Sequence, residues 1–288
     1  MSNDKLNMTL NDIILPHWPV PDHIGAIITT RNGGVSMGSY SGFSPIPHRE
    51  IPGGLNLALH VGDNEAHVMK NRQIVQRFLP NTPHWLEQVH GTTVIPLTET
   101  LRQSTPPRAD GSVSTEINQV CAVMTADCMP ILFSNKRGTV VSAIHGGWRG
   151  LSQGIIEQAI QTMLIHDESL HPSEILAYLG PAIGPDAFEV GEDVYTAFIE
   201  WSYAHRLAFK EIKPAESSEI ATPKKYLANL YQIAKQRLLA LGVHYIYGGD
   251  YCTFHDQRRF YSHRREQQTT QQSTGRMAAL IWIGQPAS

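Results

Sequence analysis

Three segments of this 288-residue chain end an apolar run on a side chain that can bind a metal. They are Trp85-Leu-Glu-Gln-Val-His90-Gly91, Cys121-Ala-Val-Met-Thr-Ala-Asp127-Cys128-Met-Pro130 and Val140-Val-Ser-Ala-Ile-His145-Gly146. Strand ends suit ligands, because the sheet fixes them while the following loop leaves access. His90, Cys128 and His145 together offer two imidazoles and a thiolate, a donor set that suits zinc. Three protein ligands leave a fourth position for water, which is the catalytic arrangement. The gaps between the three match no zinc-finger spacing, so pattern alone leaves a core cysteine and two hydrogen-bonded histidines equally open. The same residues admit a metal-free Cys-His amidohydrolase, with Cys128 as nucleophile and His145 as its base. Asp127 gives that thiol no positive neighbour, so a thiolate would need His145 or Arg149 nearby. A metal-holding protein without turnover is a third option, which the open three-ligand pattern disfavours.

Anion-binding candidates surround this set. Gly146-Gly147-Trp148-Arg149-Gly150 links a strand to a helix, and its bare amides with Arg149 make a phosphate site plausible. An ordinary glycine-rich turn is the plainer reading of the same residues. Ser262-His263-Arg264-Arg265 and Thr274-Gly275-Arg276 could clamp an anion, and Thr30-Arg31-Asn32-Gly33-Gly34 is a third arginine-bearing turn.

The elements that must hold these residues follow from periodicity. Strands are expected at 23–30, 84–89, 93–97, 120–125, 130–134, 139–144, 174–179, 243–247 and 278–283. Helices are expected at 64–79, capped by Asn64, and at 152–165, 192–204 and 228–241, the last ended by Gly242. Residues 33–54 read as a long loop, 206–225 as a surface excursion or linker, and 267–273 as a polar loop. Strands and helices mix without a strict alternation, so the fold class is α+β with mixed sheets. Residues 1–22 form an N-terminal arm or edge strand, and 23–288 a single catalytic domain.

Composition narrows the function. Lys plus Arg is 23 against 26 Asp plus Glu, a net charge of −3, so neither nucleic acid nor an anionic membrane is an expected partner. No apolar run approaches the roughly 20 residues that span a bilayer, and the start of the chain lacks the features of a signal peptide. Three scattered cysteines make a poor disulfide framework. The expected compartment is the cytoplasm.

Together the segments resemble a known family. They are Thr30-Arg-Asn-Gly-Gly-Val-Ser36, Leu55-Asn-Leu-Ala-Leu-His-Val-Gly-Asp63, Glu87-Gln-Val-His-Gly-Thr92, Ala109-Asp-Gly111, Thr125-Ala-Asp-Cys-Met-Pro130, His145-Gly-Gly-Trp-Arg-Gly150, Leu179-Gly-Pro-Ala-Ile-Gly-Pro185 with Phe188-Glu-Val-Gly191, and Thr274-Gly-Arg-Met277. In this order they resemble the YfiH-like proteins, also called the multicopper polyphenol oxidase or laccase-domain family. The resemblance implies a layered α/β/β/α sandwich and one catalytic zinc per chain on His90, Cys128 and His145. It implies a purine nucleoside phosphorylase acting on adenosine, inosine and methylthioadenosine, with adenosine deaminase activity: a transferase and hydrolase of a monomer or homodimer. Its partners are then purine nucleosides and phosphate. Arg31, Gly146, Gly147, Arg149 and Arg264 become phosphate or substrate residues, and Asp127 a proton carrier. Copper and laccase-type phenol oxidation rank lower, because a multicopper oxidase needs several centres and commonly uses H-x-H pairs, which this sequence lacks. The chain departs from the family pattern at 43–54 and 267–273, which look inserted, and at Cys252-Thr-Phe-His255, where many members end on a second cysteine.

Overall fold

The computed structural model describes residues 8–43, 53–97, 105–213, 223–269 and 273–285. Its strands in chain order are β1 (Ile13–Ile14), β2 (Ile24–Thr29), β3 (Asn32–Ser36), β4 (Val94–Pro96), β5 (Gly111–Ser114), β6 (Val120–Thr125) and β7 (Met129–Asn135). Then come β8 (Val141–Gly146), β9 (Ile175–Leu179), β10 (Glu189–Gly191), β11 (Phe209–Ile212), β12 (Lys225–Ala228), β13 (Tyr245–Gly248) and β14 (Met277–Ile283). The α-helices are α1 (Glu65–Gln76), α2 (Trp148–Gln153), α3 (Ile155–His166), α4 (Glu192–Trp201), α5 (Leu230–Ala240) and α6 (His263–Gln267).

Two sheets stack at the centre. One is four-stranded, in the order β1-β2-β14-β6; the other is six-stranded, in the order β13-β9-β7-β8-β5-β4. The period of two along each strand sorts its side chains between layers. On β7, Ile131 and Phe133 meet Ile155, Ile156 and Ile160 of α3 and Ile233 and Leu238 of α5. Leu132 faces the other way, into a core between the sheets with Val141, Ala143, Val123 and Ile281. On the far face of the four-stranded sheet, Val120, Ala122, Met124 and Leu280 pack against Ile74 and Val75 of α1. The layers therefore run α/β/β/α. Burying one such aliphatic side chain contributes about 1.5–3 kcal/mol.

Local chemistry explains the helix bounds. Asn64 caps α1 by accepting from the Ala66 N–H, and Asn229 caps α5 by accepting from the Gln232 N–H. The single helix expected over 152–165 is two helices instead. Gly154 sits between α2 and α3 at φ 105, a left-handed conformation that breaks the run.

Other expectations are corrected. Residues 84–89 make only isolated bridges, His84 to Cys121 and Glu87 to Arg108, rather than a strand. The loop at 33–54 contains the end of β3, and residues 44–52 lie outside the described residues. The excursion at 206–225 carries β11, which pairs antiparallel with β12 beside β10 in a small third sheet; residues 214–222 lie outside the described residues. The polar loop at 267–273 begins inside α6, and 270–272 lie outside the described residues. The N-terminal arm places β1 antiparallel to β2.

Candidate metal centre and pocket

His90, Cys128 and His145 converge, with one ligand atom from each and all of these within 4.8 Å of one another. Strand register brings two of them together. β7 and β8 pair antiparallel with Pro130 opposite His145 and Met129 opposite Gly146. Cys128, just ahead of β7, therefore lies beside the turn that follows His145.

His90 arrives from a third segment that is tied at two places. Gln88 locks onto the Met124 backbone of β6: its Nε2 donates to the carbonyl at 2.8 Å, and its Oε1 accepts from the N–H at 2.7 Å. Beyond Gln88, the Asp110 carboxylate accepts from the N–H groups of Val89 (3.2 Å), His90 (2.9 Å) and Gly91 (2.7 Å). The same carboxylate accepts from His145 Nδ1 at 2.8 Å. This fixes the His145 tautomer and leaves Nε2 as its metal-facing donor. Asp110 is fully buried. Burial alone would raise its pKa, but the hydrogen bonds from His145 and the backbone hold it below the usual carboxylate value.

The electrostatics favour a cation at the centre. Burial pushes the Cys128 thiol upward, yet the His145 and His90 imidazoles outweigh burial and bring it down to about 6. Burial pushes His145 downward, but the Cys128 charge and the Asp110 hydrogen bond raise it to about 9. The thiolate and Asp110 thus stabilise positive charge between them, and a metal ion supplies it as well as a proton does. By contrast, burial pushes the Cys121 thiol up to about 12 and makes it inert.

Gly147 provides the room. A Cβ there would lie 3.0 Å from His90 Cδ2, 3.2 Å from Cys128 Sγ and 3.5 Å from His145 Cε1. Its φ of −67 is open to any residue, so glycine is required for space and not for conformation. A bare backbone facing all three donors, together with the donor set itself, fits a bound ion.

Two non-glycine residues here adopt left-handed backbone, His90 at φ 60 and Asp127 at φ 88. Such a conformation costs about 1–3 kcal/mol and persists where the surroundings enforce it. At His90 the enforcing group is Asp110. At Asp127 it is the residue's own carboxylate, which accepts from Thr253 Oγ1 and from the Arg264 N–H, both at 2.6 Å. Of the oxygens expected to carry a proton, one is engaged by Thr253 and the other tethers α6.

A pocket of about 270 Å³ opens beside the cluster, with His90, Asp127, Cys128, Trp148, Arg149, Phe188, His263, Arg264 and Gln267 among its lining residues. Arg149 is exposed and lies over the Trp148 ring at 4.4 Å. Arg264 lies over the Phe188 ring at 5.4 Å and donates from Nη1 to the Glu189 carbonyl at 2.9 Å. Arg31 does not line this pocket. Its Nε and Nη2 donate to the Ser41 carbonyl and its Nη1 to the Gln257 carbonyl, beside the Tyr261 ring. Gly146 lies inside the β8 ladder, where a Cβ would press on the Met129 carbonyl at 2.7 Å. Cys252 stands outside the ligand group, its Sγ accepting from the Gly184 N–H at 3.2 Å. Sequence reasoning gave no role to Gln88, Asp110 or Gln267, and included His263 only in a segment that could clamp an anion. The first two sit in segments that carried the resemblance, which was the available signal.

The family model described as multi-copper polyphenol oxidoreductase laccase matches residues 25–284. Purine nucleoside phosphorylase YfiH of Escherichia coli (strain K12) is 43% identical over 276 residues, covering 95% of this chain and all of that protein. The purine nucleoside phosphorylase of Haemophilus influenzae is 44% identical over 272 residues, covering 94% and 98%. A solved Neisseria meningitidis protein is similar with a TM-score of 0.80 at 41% identity, covering 95% of this chain and all of that one. YlmD from Geobacillus stearothermophilus is similar with a TM-score of 0.77 at 28% identity, covering 97% and 98%.

These findings correct the metal. The findings do not uphold the expected zinc: the matching family is described by copper, and two imidazoles with one thiolate form the His₂Cys set typical of trigonal copper centres. The layered fold, the family match along nearly the whole chain and the assembled His-Cys-His set agree, and the chain belongs to the YfiH family of laccase-domain enzymes.

Proposed function

We propose that the chain is a metal-dependent purine nucleoside phosphorylase acting on adenosine, inosine and methylthioadenosine, with deamination of adenosine as a second activity of the same pocket. One observation carries the reading: two of the three ligands, His90 and Cys128, line a pocket that also holds two arginines and two aromatic rings. The names of the relatives point the same way. A bound metal ion supplies electrophilic charge at the reacting centre. Arg149 and Arg264 bind and orient phosphate, because guanidinium groups pair with its oxygens in a fixed geometry. Trp148 and Phe188 offer faces on which a purine ring stacks. Asp127 holds the Arg264 backbone and so sets the distance between the phosphate side of the pocket and Cys128. The free thiols of Cys121, Cys128 and Cys252 support a reducing, cytoplasmic setting.

The family description supports a second reading, laccase-type oxidation of phenols, and the His₂Cys set is a copper set. Against it, the described residues assemble one three-ligand group, whereas four-electron reduction of oxygen draws on several copper centres. Product analysis separates the two. Purified protein of known metal content is incubated with each nucleoside, with and without phosphate, and separately with a phenol while oxygen uptake is followed. Base release that requires both phosphate and metal is expected. Oxygen uptake with phenol and no base release would overturn the first reading in favour of the second.

A further inference from the structure

Six titratable or charged side chains line the pocket: His90, Asp127, Cys128, Arg149, His263 and Arg264. His90 and Cys128 belong to the ligand set. Both Asp127 oxygens accept hydrogen bonds from Thr253 and Arg264. Arginine keeps its proton at any working pH. One group able to gain and lose a proton near neutrality remains, His263.

Its setting suits that task. His263 opens α6, which the Asp127 carboxylate holds through the Arg264 N–H. One turn along, the Gln267 amide meets His263 Nε2 at 2.9 Å. An amide can serve either tautomer there, by donating from nitrogen or accepting at oxygen. The ring is oriented through Nε2, and Nδ1 has no hydrogen-bond partner among the described residues. His263 is exposed toward the pocket, and desolvation on its packed side with the Arg276 charge lowers its pKa; Asp127, Arg264 and His90 are the other charged or titratable groups that act on it.

We infer that His263 is a catalytic residue, the proton carrier of this pocket, passing the proton of hydrogen phosphate to the departing purine. This rests on the phosphorylase reading. As C1′ separates from the base nitrogen, the bonding pair withdraws into the purine ring and a phosphate oxygen forms the new bond to C1′. His263 Nδ1 takes the hydrogen-phosphate proton and delivers it to a ring nitrogen of the purine. The products are the pentose 1-phosphate dianion and the neutral base, with His263 restored.

The test compares His263→Ala with the unsubstituted protein on two nucleosides, inosine and 7-methylguanosine. The second carries a cationic base that departs without needing a proton. Inosine phosphorolysis is expected to fall about 100- to 1,000-fold in kcat/KM, in the range for loss of general acid–base catalysis. Phosphorolysis of 7-methylguanosine should fall less than tenfold, with metal content unchanged. An equal fall on both substrates would show that His263 does not protonate the departing purine, and no fall on either would show it idle. Each of those results overturns the inference while leaving the phosphorylase reading intact. Absence of phosphate-dependent base release from the unsubstituted protein would overturn both.

Discussion

Asp110 and His145 are bound twice: the carboxylate accepts from the ring Nδ1 at 2.8 Å, and the Asp110 carbonyl accepts from the His145 N–H at 2.7 Å. Because the same carboxylate also holds the N–H groups of residues 89–91, it couples two metal ligands from distant segments. Asp110→Asn would present an amide N–H₂ to donors that need an acceptor. Metal affinity should fall about 10- to 100-fold, as for other partners of ligating histidines. Competition with a chelator of known affinity measures it, and unchanged affinity would remove Asp110 from the centre.

Cys128→Ala removes the thiolate that opposes the two imidazoles. Metal content and turnover should be lost together, while the far-ultraviolet circular dichroism stays that of the parent. Full metal loading in this variant would refute the ligand assignment.

Gly147→Ala tests the space rather than the chemistry. The new methyl would stand 3.0–3.5 Å from ring carbons of both histidines and from the Cys128 sulfur. The backbone there already suits alanine, so the variant should fold, at an overpacking cost of about 1–3 kcal/mol. Metal affinity should drop at least tenfold. Unchanged affinity would place the ion elsewhere.

In metal-free protein the Cys128 thiol lies at about 6 because the neighbouring imidazoles favour its charged form over the cost of burial. The thiolate is the reactive species. Alkylation of Cys128 should therefore rise as pH passes upward through about 6 and level off above it. In His145→Ala one favourable partner is gone, so the midpoint should move upward. A downward move would contradict the electrostatic account.

Arg149→Ala should raise the KM for phosphate about tenfold, equivalent to about 1.4 kcal/mol, with metal content unaltered. An unchanged phosphate dependence would exclude Arg149 from the anion site.

Two of the ligands were readable before any coordinates because β6 runs directly into Asp127-Cys128 and β8 carries His145 near its end, and the layers turn both faces of these strands inward; the His90 segment, expected as a strand, is held by isolated bridges instead. Helix α1 was readable from its periodicity and its Asn64 cap, and α5 from its periodicity and the terminating Gly242. Other parts were hidden for physical reasons. β10, β11 and β12 are short, with exposed polar positions, so alternation carries little signal there. Gly154 looked like a tolerable helix residue, since the sequence does not display its left-handed backbone. Arg31 looked like a ligand-binding arginine, but loop carbonyls of Ser41 and Gln257 claim its nitrogens, and only tertiary structure reveals such claims. Asp110 and Asp127 were both visible as carboxylates near the motifs. Which one orients a ligand and which tethers a helix depends on donors more than a hundred positions away for Asp127 and about twenty for His90's loop.

β14 lies between β2 and β6 and pairs with both. A ribosome delivers it after every ligand has already emerged. Until then β6, which leads into Asp127 and Cys128, lacks its partner strand in that sheet. Loading of the ion thus waits for β14, and a chain cut short before Met277 should emerge unable to retain metal although all three donors are present.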